Sequence, residues 1–490
     1  MYHSPSRRSM LLKRFTSLII TFSAVLVGVS IVTAFTLGYG LNEKDGKIER
    51  GGILQLGSTP SGAAVTINNV PFSSRTPTKL VSYEGDYAVK MELPLYKTWQ
   101  KTVPINPGAI TWQTYARLFP KEIKPTDVAS FETMAGALPS GSGRNYAFLE
   151  KMNQPVVTIA PLDAETVNME TITLPQTIAT QSQKPDAPST YELMLWSGKE
   201  NYIIIKHVIG DTKKVEWLVL DIANPEDSIN LTKSYGIDAS EVVFSNYNGR
   251  EIVALIDGTV RQIDLDAQTL SRPFARNVNN FRLYGDEYIL YVTNPLEDNT
   301  QEVGYVRKEF KQPFVIKKVP YDGKATALVD FGKYFDKYYA LISHGNTASF
   351  YEMKDFNGSE KDTLNLRLVA DMSLEKPITT LDITDNSQFA TVQDGFSFAN
   401  YNLELNQQNT TKIVSSADKP QKLRHLDTYL YWGTEDGYLR TYEFDGANQN
   451  RLMAMDPIYD ATLSPSGKYL YSVVVKDGKY NLQRLQILGL

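Results

Sequence analysis

The residues best suited to metal ligation or general acid–base chemistry in this chain of 490 residues are its four histidines, His3, His207, His344 and His425. No two stand at a ligand spacing such as His-x3-His, so each reads as a packing or surface residue. Carboxylates gather at Asp264/Asp266, at Asp436/Asp445 and at Glu297/Asp298/Glu302. A calcium loop alternates its oxygen ligands along a short segment ending in glycine, a pattern none of the three groups has, and they read as solvated turn acids. Tyr431, Trp432 and Tyr438, near the Asp436-Gly437 turn, could stack on a sugar or peptide, but alternation sets Trp432 beside Leu430 on a buried face. There is no Gly-x-Ser-x-Gly elbow, phosphate loop or dinucleotide fingerprint, and Gly141-Ser-Gly-Arg144 reads as a flexible loop. Cysteine is absent, which excludes disulfides, zinc thiolates, lipoprotein acylation and thiol catalysis. The sequence therefore assigns no catalytic, cofactor-binding or metal-binding residue, and the binding residues stay unassigned.

Whatever the chain does, it does from a tether. Between Arg14 and Glu43 there is no charge, and Phe15 to Leu41 is apolar and long enough to cross a bilayer core of about 30 Å. Arg7, Arg8, Lys13 and Arg14 precede this run, and the flank after it is mixed in sign, so the basic tail, residues 1–14, is expected in the cytoplasm and the rest outside. A cleaved signal peptide has a shorter apolar region; Val32-Thr33-Ala34 mimics a cleavage site but falls inside the run, which favours an uncleaved signal anchor over residues 15–41. Ser6-Arg7-Arg8-Ser9-Met10-Leu11 partly resembles a twin-arginine export signal, with Met10 where phenylalanine is preferred.

The remainder is too long for one core and carries a net charge of −5, with no basic face for nucleic acid. With 29 Tyr and 20 Phe and no amphipathic helix after the anchor, it reads as an all-β ectodomain. The first unit, residues 50–120, alternates at Ile53/Gln55 and Val65/Ile67 around a Pro60-Ser61-Gly62 turn. Pro60-Ser-Gly62-Ala-Ala-Val-x-Ile67, Thr76-Pro77 and Gly85-Asp86-Tyr87-x-Val89 resemble the PEGA domain, with Ser61 for its glutamate and Asn68-Asn69 for a common Asp-Gly pair. The resemblance covers about one seventh of the chain, ending near Arg117-Leu-Phe119, and implies a small β-sandwich without catalytic residues that binds or spaces in an envelope protein.

After a polar joint at Lys121–Pro125 the chain repeats, and residues 128–490 form the expected second unit. Hydrophobic strands run into Asp257-Gly258, Asp394-Gly395, Asp436-Gly437 and Asp477-Gly478, each followed by an alternating strand, as type I′ hairpins require. Tyr146, Tyr202, Ile252, Tyr288, Tyr338, Phe389, Tyr429 and Tyr469 mark eight units at steps of roughly 36 to 56 residues. Four-stranded units of that size bury their faces by stacking, and ring closure removes open edges, which points to a β-propeller. Leu463-Ser-Pro-Ser-Gly467-Lys-Tyr469-Leu resembles the turn of WD40-like and YVTN-type propellers. Seven or eight blades both fit, because Tyr146 and the strand Tyr480–Ile487 could share one closing blade.

The expected function is non-enzymatic binding or scaffolding through the propeller face, with an envelope protein or cell-wall glycan as partner and the membrane engaged by the anchor. The alternative is an extracytoplasmic lactonase or glycosidase, which needs carboxylates converging at the ring axis. Val242, Phe244, Leu381, Ile383 and Leu463, the residues expected to line that axis, argue against it.

Overall fold

The structure is a computed structural model that describes residues 7–36, 39–42, 46–309, 312–354, 364–384, 386–413 and 422–489; His3 lies outside the described residues. The N-terminal helix runs Arg7–Thr36, and its segment Phe15–Ala34 has a mean hydropathy of 2.3, with none of it buried against protein. Such a segment fits a single-pass membrane topology. Thr21 and Ser30 return their hydroxyls to the carbonyls of Ser17 and Leu26, which lets polar side chains sit in an apolar surrounding. The apolar run extends past the described helix, to Leu41. Tyr39–Asn42 is instead a strand paired with Lys47–Arg50, consistent with the low helix propensity of Gly38 and Gly40.

Residues 1–122 form one compact unit and 123–489 a second. In the first, Gly52–Thr59 lies between antiparallel Thr78–Ser82 and parallel Ile110–Arg117. A second sheet is ordered Val70–Arg75, Ala64–Ile67, Gly85–Glu92, Trp99–Ile105. Period-two alternation buries Leu54 and Leu56 completely and turns Ile53 and Gln55 to the other face. The buried set joins Val65, Val89, Met91, Trp99 and Val103 in one core. At the motif turn Gly62 has φ 89°, and Asn68 and Asn69 take φ 47° and 64°, so asparagine replaces Asp-Gly without loss of the left-handed turn. The buried Thr76 hydroxyl meets Ser58 Oγ at 2.6 Å and accepts the Ala63 amide at 2.9 Å, fixing the loops on either side of the first turn.

The second unit consists of repeated four-stranded antiparallel sheets, eight among the described residues. Seven are continuous in sequence, over residues 136–173, 190–230, 239–270, 278–320, 328–373, 380–412 and 424–454. The eighth takes Thr462–Leu463, Tyr469–Lys476 and Lys479–Gln486 from the end of the chain and Thr126–Phe131 from the start of the unit. All eight marker positions fall in or beside the second strand of a sheet. Those strands bury both faces, as Tyr288–Thr293 does throughout, which is why they read as unbroken apolar runs. Cores form between neighbours: Leu149 with Ile203 and Leu218 between the first and second sheets, Leu290 with Ile342 between the fourth and fifth. Tyr146 and Phe148 of the first sheet share a core with Tyr471 and Leu482 of the eighth.

Two expectations need correction. Tyr146 and the C-terminal strand do not share a sheet; the partner of Lys479–Gln486 is Thr126–Phe131, which begins directly after the supposed joint. Asp257, Asp436 and Asp477 take φ of 48°, 50° and 53° before their glycines, but Asp394 does not enter that region. Its buried carboxylate accepts the Phe396 and Ser397 amides at 2.8 and 2.7 Å, so a side chain closes the turn that two left-handed residues close elsewhere.

Candidate binding site

The first strands of successive sheets lie against one another, Val278–Tyr284 against Leu328–Tyr334 and Leu328–Tyr334 against Thr380–Ile383. Each places one ionisable side chain at this line of contact. Arg282 of the fourth sheet reaches Asp330 of the fifth, Nε to Oδ1 3.2 Å, and Asp382 of the sixth, Nη2 to Oδ1 2.5 Å. It also donates to the Leu381 carbonyl at 2.9 Å. His425 of the seventh sheet completes the group, Nε2 to Asp382 Oδ2 2.8 Å, with its ring against Tyr431 at 4.5 Å. Four consecutive sheets are thus joined by one charged network. The expected axis residues Leu381 and Ile383 pack between sheets; the intervening Asp382 is the residue that points the other way.

Asp330 is 4% exposed, and its two oxygens accept the Phe331 and Ile383 amides at 2.9 and 2.7 Å. Burial pushes its carboxyl up to about 7, against the pull of Arg282 and the Ile383 amide. Burial also acts to raise Asp382, but its bond to His425 and the Arg282 charge outweigh that, and it stays below the ordinary carboxylate range. The two carboxyls thus differ because one has protein on every side while the other is held by the Arg282 cation and a hydrogen bond to His425.

Beside this network lies an open cleft of 720 Å³, lined by Arg282, Tyr284, Tyr288, Lys333, Tyr338 and Asp382 among others. Its rim is formed by the turns that join first to second strands in the fourth and sixth sheets and, from the fifth, by Lys333 and Tyr338 in the strands themselves. The fifth sheet's turn carries Phe335, 83% exposed and at φ 55°, with its ring edge-on to Tyr334 at 4.6 Å. A left-handed phenylalanine costs about 1–2 kcal/mol in backbone strain, and its ring remains in water. Phe335 lines a second cleft of 410 Å³, together with Tyr339, Arg367 and Tyr401.

The other candidates are structural. His207 is fully buried, Nδ1 to Glu216 Oε2 3.0 Å, with Tyr191 stacked on it at 4.6 Å; burial lowers its pKa although Glu216 opposes this. His344 ends a strand of the fifth sheet. Asp264 accepts the Asp266 and Ala267 amides, Asp298 the Thr300 amide and hydroxyl, and Asp445 the Ala447 amide; Asp266 pairs with Arg250 and Glu302 with Lys318. Among the described residues no three His, Asp or Glu side chains converge as metal ligands. Tyr431 and Trp432 are core residues, whereas Tyr438 is exposed beneath Arg451 at 3.9 Å. Gly143 is not in a free loop: at φ 70° it abuts the Leu463 carbonyl of the eighth sheet. Sequence reasoning missed Arg282, Asp330 and Asp382; the available signal was a charged residue in the first strand of every sheet from the second to the seventh.

No curated protein sequence matches the chain. Among solved structures it is similar to an oligogalacturonate lyase from Vibrio parahaemolyticus, at 11% identity and TM-score 0.35, covering 68% of this chain and 98% of that one. It is also similar to dipeptidyl peptidase 4 of Porphyromonas gingivalis, at 11% identity and TM-score 0.44, covering 71% and 56%. Residues 51–118 match the PEGA domain, so the first unit contains a PEGA domain, preceded by a single apolar helix.

Proposed function

We propose that this is an envelope protein held by one uncleaved transmembrane helix, with the basic tail in the cytoplasm and both folded units outside. Its eight sheets close as an eight-bladed β-propeller, and it binds or scaffolds without catalysis. The pairing of Thr126–Phe131 with Lys479–Gln486, and the core shared by the first and eighth sheets, support the ring. The binding face is the one that bears Tyr284, Phe335 and Tyr338, and the partner is an envelope protein or a cell-wall glycan.

The observation that carries the binding reading is Phe335. An aromatic ring held in solvent on a strained turn at the edge of a cleft is poorly explained by folding and well explained by a partner that covers it. The charged network speaks against the hydrolase alternative. Asp330 is engaged by Arg282 and two amides, and Asp382 by Arg282 and His425, so the carboxylates hold strands together.

A photo-crosslinking residue at position 335 in intact cells tests this reading. We expect a discrete adduct to an envelope protein or wall polymer, lost when Tyr284 and Tyr338 are replaced by alanine. Turnover of lactones or glycosides that is abolished by Asp382→Asn would replace binding with catalysis.

A further inference from the structure

The PEGA domain leaves one side of its three-stranded sheet uncovered. Register places Val81, Ile53 and Ile110 in a row across all three strands, with Lys79, Gln55 and Trp112 in the next row on the same face. Val81 is 65%, Ile110 47% and Trp112 43% exposed. Cross-strand neighbours stand about 5 Å apart, so these side chains make one patch. Isolated exposed residues of the same unit, such as Val70 and Leu95, need no such explanation.

The position of the patch identifies what covers it. Ile53 lies at the start of Gly52–Thr59, the first strand of the two PEGA sheets, and before it Tyr39–Asn42 pairs with Lys47–Arg50, with Tyr39 opposite Arg50. That strand pair lies on the same end of the domain, where Gly40 backs onto Tyr83 and Arg50 reaches over Gly108. From Thr36 at the helix end, three residues lead to Tyr39, one strand spacing to Arg50, and three more residues to Ile53. Fully extended, that path is at most about 25 Å. The row Val81, Ile53, Ile110 thus sits at the end of the sheet tied closest to the bilayer.

We propose that this face lies on the lipid interface beside the anchor, with Val81, Ile53 and Ile110 at the acyl boundary, Trp112 at headgroup depth and Lys79 toward anionic headgroups. Tryptophan favours that depth, and cations near an anionic surface are attracted to it. The domain is then a foot, fixed in height and tilt against the bilayer. This inference rests on the membrane-anchor reading given above.

Because the chain has no cysteine, single-cysteine probes are unambiguous. The full chain would be placed in phosphatidylcholine/phosphatidylglycerol vesicles with bimane at Val81→Cys, Ile110→Cys, Val70→Cys, Ile458→Cys or Ser23→Cys, and quenched by lipids carrying a nitroxide. We expect quenching and a blue shift at 81 and 110, neither at 70 and 458, and strong quenching at 23. If 23 is quenched while 81 and 110 match 70, the anchor stands and the foot is wrong. If 23 is not quenched, the anchor reading itself fails. Protein-to-protein crosslinking through position 81 would give the face to a second copy and overturn the lipid assignment.

Discussion

The PEGA domain and the repeated sheets solve the same burial problem in different ways. In the first, two sheets turn one face each toward a shared core, Leu54 and Leu56 against Val89, Met91 and Trp99, and leave their other faces open. In the second, cores form between neighbouring sheets, such as the first and second or the fourth and fifth, and the unit's first strand is used to complete its last sheet. A two-sheet core is local and can be lost alone. Stacked sheets draw stability from every neighbouring interface, and the proposed ring adds to these the pairing between its ends.

That contrast is most sharply broken by truncation. Removing Tyr480 to Leu490 takes away a strand bonded on both sides, to Thr126–Phe131 and to Tyr469–Lys476. We expect a loss well above about 5 kcal/mol, seen as insolubility or loss of the cooperative melt. A near-wild-type melting curve would make the repeated sheets an open array. Next in size, Leu56→Ala in the PEGA core should cost about 3 kcal/mol, with proteolysis confined to residues before 122 and the second unit's melt unchanged. A shift of both transitions would mean the units are not independent.

Asp330→Asn probes the charged network. Below about pH 4 both the folded and the unfolded chain hold this carboxyl protonated, and the variant should be less stable by about 2 kcal/mol because an amide cannot accept every bond Asp330 accepts. The folded-state pKa of about 7 is above the unfolded value, so the folded protein binds more protons between those pH values and wild-type stability falls as pH rises through that window. The variant's deficit should therefore shrink toward pH 7 in urea melts of both proteins. A deficit that grows with pH would show Asp330 to be held ionised by Arg282. The smallest effect is Tyr471→Phe, which removes the hydroxyl donating to the Leu162 carbonyl at 2.7 Å between the eighth and first sheets. We expect about 1 kcal/mol in chemical denaturation, and no change would mean those sheets do not touch in solution.

What could be read from the sequence came from signals that are short and local. Asp-Gly pairs before alternating strands located hairpins, because few residues other than glycine, asparagine and aspartate tolerate the left-handed region. Aromatic residues opening apolar runs located the second strands, whose two buried faces demand such runs. The PEGA turn was legible for the same reason, through Pro60 and Gly62. Thr126–Phe131 was not, because its partner lies more than 340 residues away and a lone exposed strand carries no pattern of its own. The network was hidden differently. Arg282, Asp330, Asp382 and His425 are single residues about 50 apart, and Asp382 sits between the two apolar residues that alternation singled out. Asp394 shows the limit of a turn signal, since the same Asp-Gly letters closed a turn by a side-chain route.

The proposed ring is tested most directly by a covalent bond across the strand pairing that would close it. Ser130 and Asn481 are register partners in the pairing of the unit's first strand with the chain's last. In this cysteine-free chain, Ser130→Cys with Asn481→Cys should oxidise to an intramolecular disulfide that changes mobility on a non-reducing gel and raises the melting temperature of the second unit. Two free thiols after oxidation of the folded protein, or bonds formed only between chains, would contradict closure of the eight sheets through that strand.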